Sequence, residues 1–218
     1  LEHGGYRVIT TLDWRAQGLA TRWLAAAAIA PNLSRSKAER LLDRSKIPGR
    51  ERGWIRALRG KDLHNAALVA LDYRTGSAGY ARDNLASRRF EPKFDVAGDG
   101  ARQPGSAFKP VLYAAAFDAK RLTPGSLLLD VTTEFDLERD RLELRVRRAL
   151  QYSLNIPAIR ALHRVGSKRV AETAEKMGIR FAGGRKAFLQ AGLAGALGTV
   201  EVRPLDLTAA YGTIANGG

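Results

Sequence analysis

The sequence predicts an α+β fold in which a helical subdomain accompanies an incomplete antiparallel sheet. Residues 66–71 form a continuous apolar run of strand length, which predicts a strand buried on both faces. Turn residues at 72–76 and a returning strand at 77–82 then complete a hairpin. A two-stranded hairpin is marginally stable alone, so we expect further strands beyond Gly218. After Ser106 the periodicity is helical, near 107–119, 143–152, 157–165, 167–177 and 204–216.

The region before the hairpin is predicted to begin with a short strand at 6–10, which is rich in aromatic and β-branched residues. Asp13 is a suitable N-cap for a helix that runs to about Ala30, where Pro31 stops it. A basic stretch follows this helix, and residues 83–105 form a polar connection rich in Gly, Pro and Asp.

Composition excludes several classes of protein. The chain has 218 residues, a formal net charge of +14 and 45% hydrophobic residues, which is too apolar for a disordered chain. No apolar run approaches the roughly 20 residues of a membrane helix. Cysteine is absent and the three histidines are scattered, so we expect neither a disulfide framework nor a metal centre, and no cofactor.

The positive charge is concentrated in residues 35–61, where ten basic residues face three acidic ones. Such a segment is typical either of a solvated helical region or of a surface for nucleic acid or an anionic membrane. Trp54 is the one aromatic residue among these charges, so no base-stacking platform is evident and we expect no nucleic-acid partner.

The most informative motif lies at residues 102–110, Arg-Gln-Pro-Gly-Ser-Ala-Phe-Lys-Pro. Pro110 is tolerated only near the start of a helix, so the helix begins close to Ser106, with a tight first turn. Gly105 supplies the bend and permits close approach of backbone or ligand. Ser106 and Lys109 are three residues apart and therefore neighbours on one helix face.

This spacing suits an acyl-transfer nucleophile, provided that the lysine is neutral. A serine hydroxyl reacts when a neighbouring base takes its proton. Lowering a lysine pKa from ~10.4 to near 7 requires about 3 units, and desolvation and a helix N-terminus both act in that direction. A second Ser-x-x-Lys at 34–37 lacks the Pro-Gly bend and is interpreted as chance.

A second candidate element is residues 151–157, Gln-Tyr-Ser-Leu-Asn-Ile-Pro. Pro157 suits the first position of a helix, which puts Ser153 and Asn155 in a corner between helices. A hydroxyl there could relay a proton, and an amide could hold a substrate carbonyl and the lysine. The alternative is that Asn155 merely caps the next helix.

Together these motifs resemble the transpeptidase domain of class A (bifunctional) penicillin-binding proteins, which has a penicillin-binding/serine β-lactamase-like fold. The resemblance covers nearly the whole chain, including residues 6–13, 67–76, 196–205 and 209–218. It implies three parts: residues 1–32 as a linker strand and helix entering the domain, 33–62 as a basic helical segment, and 63–218 as the transpeptidase domain, incomplete at its C-terminus.

The resemblance also implies roles for the motif residues. Ser106 would be acylated by a D-Ala-D-Ala stem peptide of peptidoglycan or by a β-lactam inhibitor, with Lys109 as base. Ser153 would shuttle protons and Asn155 would orient the peptide, so both would also contact substrate, as would Gly105. The Ser106 N–H would form half of an oxyanion hole. The parent protein would face the periplasm, at the outer face of the cytoplasmic membrane, anchored by N-terminal segments outside this sequence.

Three expectations qualify this interpretation. The family's Lys-Thr/Ser-Gly motif lies downstream of Gly218, and Arg74-Thr75-Gly76 is interpreted as a turn. The stretch between Leu129 and Leu150 is shorter than usual. We therefore expect the 218 residues alone to acylate poorly. The alternatives are a serine β-lactamase-like hydrolase, a non-catalytic basic binding module, and a degenerate family member that acts as a scaffold.

Overall fold

The computed structural model describes residues 7, 9–63, 66–74, 78–83, 95–130 and 143–218. The chain forms two compact units, Leu1–Ala97 and Gly98–Gly218. In the part of the chain that the structure describes, no helix has the length and apolar character needed to cross a membrane.

The first unit begins with helix α1, Trp14–Ile29. Asp13 caps it as predicted, because its carboxylate accepts hydrogen bonds from the backbone N–H groups of Arg15 and Ala16 at 2.9 and 3.1 Å. Pro31 lies in a 3₁₀ turn that follows the helix. The basic segment is helical, as α2 (Arg35–Arg44) and α3 (Arg52–Ala57). A small apolar core joins these helices, formed by Ala26, Ala30, Ala38, Leu42, Ile47 and Ile55.

The predicted hairpin is present, as strands β1 (Ala66–Leu71) and β2 (Ala78–Asp83). The two strands are antiparallel, and α1 packs against both. The prediction that β1 is buried on both faces is wrong, since none of its residues is buried and Leu68 is 38% exposed. Within the described residues β1 pairs with β2 alone, which leaves much of its surface uncovered.

Other predictions for this unit are wrong or fall on residues that the structure does not describe. Arg7, Ile9 and Thr10 lie outside any strand, which contradicts the strand predicted at 6–10, whose residues 6 and 8 lie outside the described ranges. Thr75, Gly76 and residues 84–94 also lie outside those ranges.

The second unit is built around helix α4, Lys109–Asp118, which packs against α6 and α7. Its apolar core contains Phe108, Leu112, Leu162, Val170 and Phe188 among others. The helices after α4 run over the ranges α5 Val146–Gln151, α6 Asn155–Val165, α7 Ser167–Lys176, α8 Gly184–Gln190 and α9 Pro204–Ala215.

The sequence predicted five of these six helices and missed α8. It also missed a short antiparallel pair, β3 (Leu127–Leu129) with β4 (Glu143–Arg145), and β4 occupies the predicted start of α5. Residues 131–142, most of the stretch expected to be short, lie outside the described residues. The mixture of helices with small antiparallel sheets agrees with the predicted α+β class.

Candidate active site

The candidate nucleophile lies in the tight turn that leads into α4. Residues Gly105–Phe108 form a 3₁₀ helix that continues directly into α4, as the position of Pro110 predicted. Gly105 has a φ of +56°, a value that glycine adopts without strain. The Ser106 side chain is exposed and has no hydrogen bond within the described residues, so it is open to an incoming molecule.

Lys109 lies one turn further along and is completely buried, with 0% of its surface exposed. Its Nζ donates to the Ser153 carbonyl oxygen at 2.5 Å and to Asn155 Oδ1 at 2.7 Å, and it lies 3.2 Å from Ser153 Oγ. The structure therefore joins three of the four predicted catalytic residues in one hydrogen-bond network. No hydrogen bond joins the Ser106 hydroxyl to Lys109 in the described part of the chain.

Burial lowers the pKa of Lys109 below its usual value, because the ammonium loses its hydration when it is removed from water. Within the described ranges, no carboxylate forms an ion pair with Lys109 to offset this effect. The three oxygens around Nζ are neutral acceptors. The environment thus favours the neutral amine that the sequence argument requires of a base.

The backbone at residues 152–155 presents the acceptors to Lys109. Ser153 has a φ of +54° in the turn between α5 and α6, and its N–H donates to the Leu150 carbonyl at 3.0 Å. Such left-handed geometry is uncommon for a non-glycine residue and is often found at functional sites. Ser153 and Asn155 are both exposed residues, so a substrate can reach this corner of the site.

Two expectations for this corner are corrected. Helix α6 begins at Asn155, two residues before Pro157, which occupies the third helical position. The N-cap is Leu154, with no side-chain capping bond, so the alternative of Asn155 as a cap is wrong. The Asn155 side chain instead accepts from Lys109.

The sequence analysis assigned no site role to Gly198, although this residue contacts the turn at Gly105–Phe108 that carries the candidate nucleophile, here called the nucleophile turn. Gly198 has a φ of +68°, and its carbonyl accepts the Gly105 N–H at 3.1 Å. A Cβ added at Gly198 would lie 2.2 Å from the Gly105 carbonyl oxygen. By contrast, a Cβ added at Gly105 would meet none of the described atoms within 4 Å. The two backbones therefore approach closely because Gly198 has no side chain, and not because Gly105 has none, as the sequence predicted.

Two further contacts hold the same turn. Tyr211, on α9, donates its hydroxyl to the Ala107 carbonyl at 2.8 Å. Just before the turn, Arg102 and Val202 exchange two backbone hydrogen bonds of 2.9 Å each. Nothing in the local sequence indicates these pairings, since each joins residues about a hundred positions apart.

The second Ser-x-x-Lys motif is not part of this site. Ser34 and Lys37 lie at the exposed start of α2, in the first unit. Their environment lacks the burial that distinguishes Lys109.

An exposed serine that begins a helix, with a buried lysine one turn on, defines a class of acyl-transfer site. The family model described as "Penicillin binding protein transpeptidase domain" matches residues 66–218. The chain belongs to this family, whose members are acyltransferases, and the predicted family is confirmed.

Several curated proteins that are similar to this chain carry the name penicillin-binding protein 1A. That of Neisseria meningitidis (serogroup A) is 32% identical over 99% of this chain, and that of Aquifex aeolicus is 33% identical over 69% of it. This chain spans 27% and 21% of those two proteins, respectively.

Solved structures agree with this assignment. Penicillin-binding protein 1A from Haemophilus influenzae matches 69% of this chain and 23% of its own, with a TM-score of 0.56 and 30% identity. The transpeptidase domain of Burkholderia pseudomallei penicillin-binding protein 3 matches 99% of this chain and 60% of its own, with a TM-score of 0.64. At 20% identity, the latter supports the fold alone. The predicted penicillin-binding fold is confirmed.

Proposed function

We propose that the protein carrying this chain is a serine D,D-transpeptidase that cross-links peptidoglycan stem peptides through an acyl-enzyme on Ser106. The observation that carries the proposal is the environment of Lys109, which is buried, surrounded by neutral oxygens and one helical turn from an exposed serine. Family membership supports the same chemistry. β-Lactams would acylate Ser106 in place of the D-Ala-D-Ala terminus.

In this mechanism neutral Lys109 takes the Ser106 proton while Ser106 Oγ attacks the carbonyl carbon of the penultimate D-Ala. The Ser106 N–H stabilises the oxyanion as half of its hole, and Gly105 shapes the adjoining backbone. The peptide bond between the penultimate and the terminal D-Ala then breaks. The leaving amine receives the proton from Lys109 through the Ser153 hydroxyl, and Asn155 orients the bound peptide. The amine of a second peptide then attacks the ester carbonyl and gives a proton to Lys109. The bond from that carbon to Ser106 Oγ breaks, Lys109 returns the proton to Ser106, and the new amide is the cross-link.

Since the chain spans about a quarter of the penicillin-binding protein 1A relatives, the properties of the whole protein are part of the proposal. We place the parent at the outer face of the cytoplasmic membrane, anchored through other segments. The boundaries at residues 32 and 62, and poor acylation of the 218 residues alone, stay predictions.

The experiment is covalent labelling of the full-length protein with fluorescent penicillin. Ser106→Ala should abolish the label. Asn155→Asp keeps an acceptor close to Lys109 Nζ but adds a negative charge, which should raise the lysine pKa. Labelling at neutral pH should then fall, on the order of tenfold for each pH unit of that rise, and recover as the pH is increased.

Gln190→Glu is the matched control, because it makes the same change of amide to carboxylate at an exposed position on α8. It should label like the wild type. Label that persists in Ser106→Ala would refute the nucleophile. If Asn155→Asp labels at the wild-type rate at every pH, Lys109 is not the base.

A further inference from the structure

The first unit contains a cavity of about 470 Å³ between the end of α1, α2 and α3. This volume lies within the usual range for sites that take small organic ligands. The cavity belongs to the basic segment, so the acyl-transfer site does not account for it.

The floor of the cavity is apolar. Ala38 and Leu42 from α2 and Ile55 from α3 line it, and each is at most 7% exposed. An apolar surface of this kind favours an alkyl chain over a polar group, because a polar group would lose its hydration there without gaining a hydrogen bond.

The rim of the cavity is basic, with Arg35, Arg56 and Arg59 among the lining residues. Glu39, the acidic lining residue, is engaged by Arg56, whose Nε and second guanidinium nitrogen donate to its carboxylate at 2.8 and 2.9 Å. This hydrogen bonding lowers the pKa of Glu39 and keeps it ionised. The positive charge of Arg56 is therefore compensated by Glu39, and we do not count Arg56 as a binding group for an anion.

The other two rim arginines are available to an anion. Arg59 uses one guanidinium nitrogen to donate to the Leu33 carbonyl at 2.8 Å. Within the described ranges neither Arg59 nor Arg35 has a carboxylate partner, and Arg35 forms no side-chain hydrogen bond there. A guanidinium offers paired N–H donors that match a phosphate or carboxylate.

We propose that this cavity binds an anionic amphiphile, with one alkyl chain on the floor formed by Ala38, Leu42 and Ile55, and a phosphate or carboxylate head on Arg35 and Arg59. The apolar floor distinguishes this site from general attraction of a polyanion to the basic segment, for which the unpaired cations alone would suffice. The site does not depend on the proposed transpeptidase function.

The test is calorimetric titration of the full-length protein with dodecyl phosphate, kept below its micelle concentration, and, in a separate series, with dodecanoate. Arg35→Gln should weaken binding on the order of tenfold. Arg44→Gln is the matched control. Arg44 is an exposed cation at the other end of the same helix, outside the cavity lining, and it forms no ion pair with any residue that the structure describes. This variant should change the affinity less than twofold.

Two further measurements examine the floor. Ala38→Phe should abolish binding by filling the cavity, with circular dichroism to check that the chain is folded. Inorganic phosphate should bind at least tenfold more weakly than dodecyl phosphate, a comparison that needs no variant. Comparing the affinities for dodecyl phosphate and dodecanoate shows whether the site prefers a phosphate or a carboxylate head.

Other results would overturn the proposal. Equal weakening by Arg35→Gln and Arg44→Gln would show diffuse surface charge instead of a site. Equal affinity for inorganic and dodecyl phosphate would remove any role for the floor. Binding to phosphatidylglycerol vesicles, without binding to the soluble amphiphiles, would make the segment a lipid-surface contact.

Discussion

Replacing Gly198 with alanine should disturb the nucleophile turn from outside it. The new Cβ would lie 2.2 Å from the Gly105 carbonyl oxygen and 2.7 Å from the Gly105 nitrogen. Real Cβ contacts essentially never fall below 3.0 Å, so one backbone must move by about 0.8 Å. Since Gly105 immediately precedes Ser106, this displacement reaches the proposed nucleophile.

Two costs follow from this substitution. An alanine in the left-handed region costs about 1 kcal/mol, and forced overpacking adds roughly 1–3 kcal/mol to the loss of stability. A misplacement near 1 Å can lower the rate of a catalysed step about 100-fold. We therefore expect Gly198→Ala to acylate about 100-fold more slowly with fluorescent penicillin, in the full-length protein.

Gly178→Ala separates these two effects. Gly178 follows α7 with a φ of +88°, and a Cβ there would meet none of the residues that the structure describes within 4 Å. This control should lose about 1 kcal/mol of stability and acylate normally. If folded Gly198→Ala acylates like the wild type, or if both variants slow acylation equally, then Gly198 does not position Ser106.

Two other variants test the surroundings of the site. Lys109→Met should remove a pH dependence of the free energy of unfolding. The pKa of Lys109 is lowered in the folded chain and has its ordinary value of 10.5 in the unfolded chain. Between these two values the unfolded chain binds more protons than the folded chain, so the wild type becomes more stable as the pH rises. Urea unfolding across that range should show the rise in wild type alone. Tyr211→Phe, which loses the bond to Ala107, should cost about 1 kcal/mol and slow acylation less than tenfold. A slowing as large as that of Gly198→Ala would contradict this.

The parts of the site that could be predicted are those set by neighbouring residues. Pro110 restricts where a helix can begin whatever surrounds it, so the start near Ser106 and the tight first turn were predictable. The Asp13 cap and the β1–β2 hairpin likewise follow from residues that are close together in the sequence. These local constraints also place Ser106 and Lys109 on one turn.

The features that could not be predicted depend on contacts between distant segments. Burial of β1 depends on which elements cover it, and its apolar composition carries no such information. Pro157 is tolerated anywhere in the first turn of a helix, so it could not fix the start of α6 at Asn155. The contacts of Gly198 and Tyr211 with the nucleophile turn require the folded chain.

The hydrogen-bond acceptors around Lys109 can accommodate both its neutral amine, before a proton transfer, and its ammonium, after it. A neutral amine has two N–H donors and one lone pair. If its donors bind the Ser153 carbonyl and Asn155 Oδ1, the two shortest contacts, the lone pair remains for a proton. The ammonium has three donors, and Ser153 Oγ at 3.2 Å supplies a third acceptor.

Burial thus raises the free energy of the ammonium relative to the amine, while three oxygens limit that penalty once the proton has arrived. A carboxylate at the position of Asn155 would stabilise the ammonium before any proton transfer, so the neutral amine would no longer be favoured. A neutral amide keeps the acceptor and leaves the charge uncompensated. An asparagine next to the proposed base, Lys109, therefore serves proton abstraction better than an aspartate would.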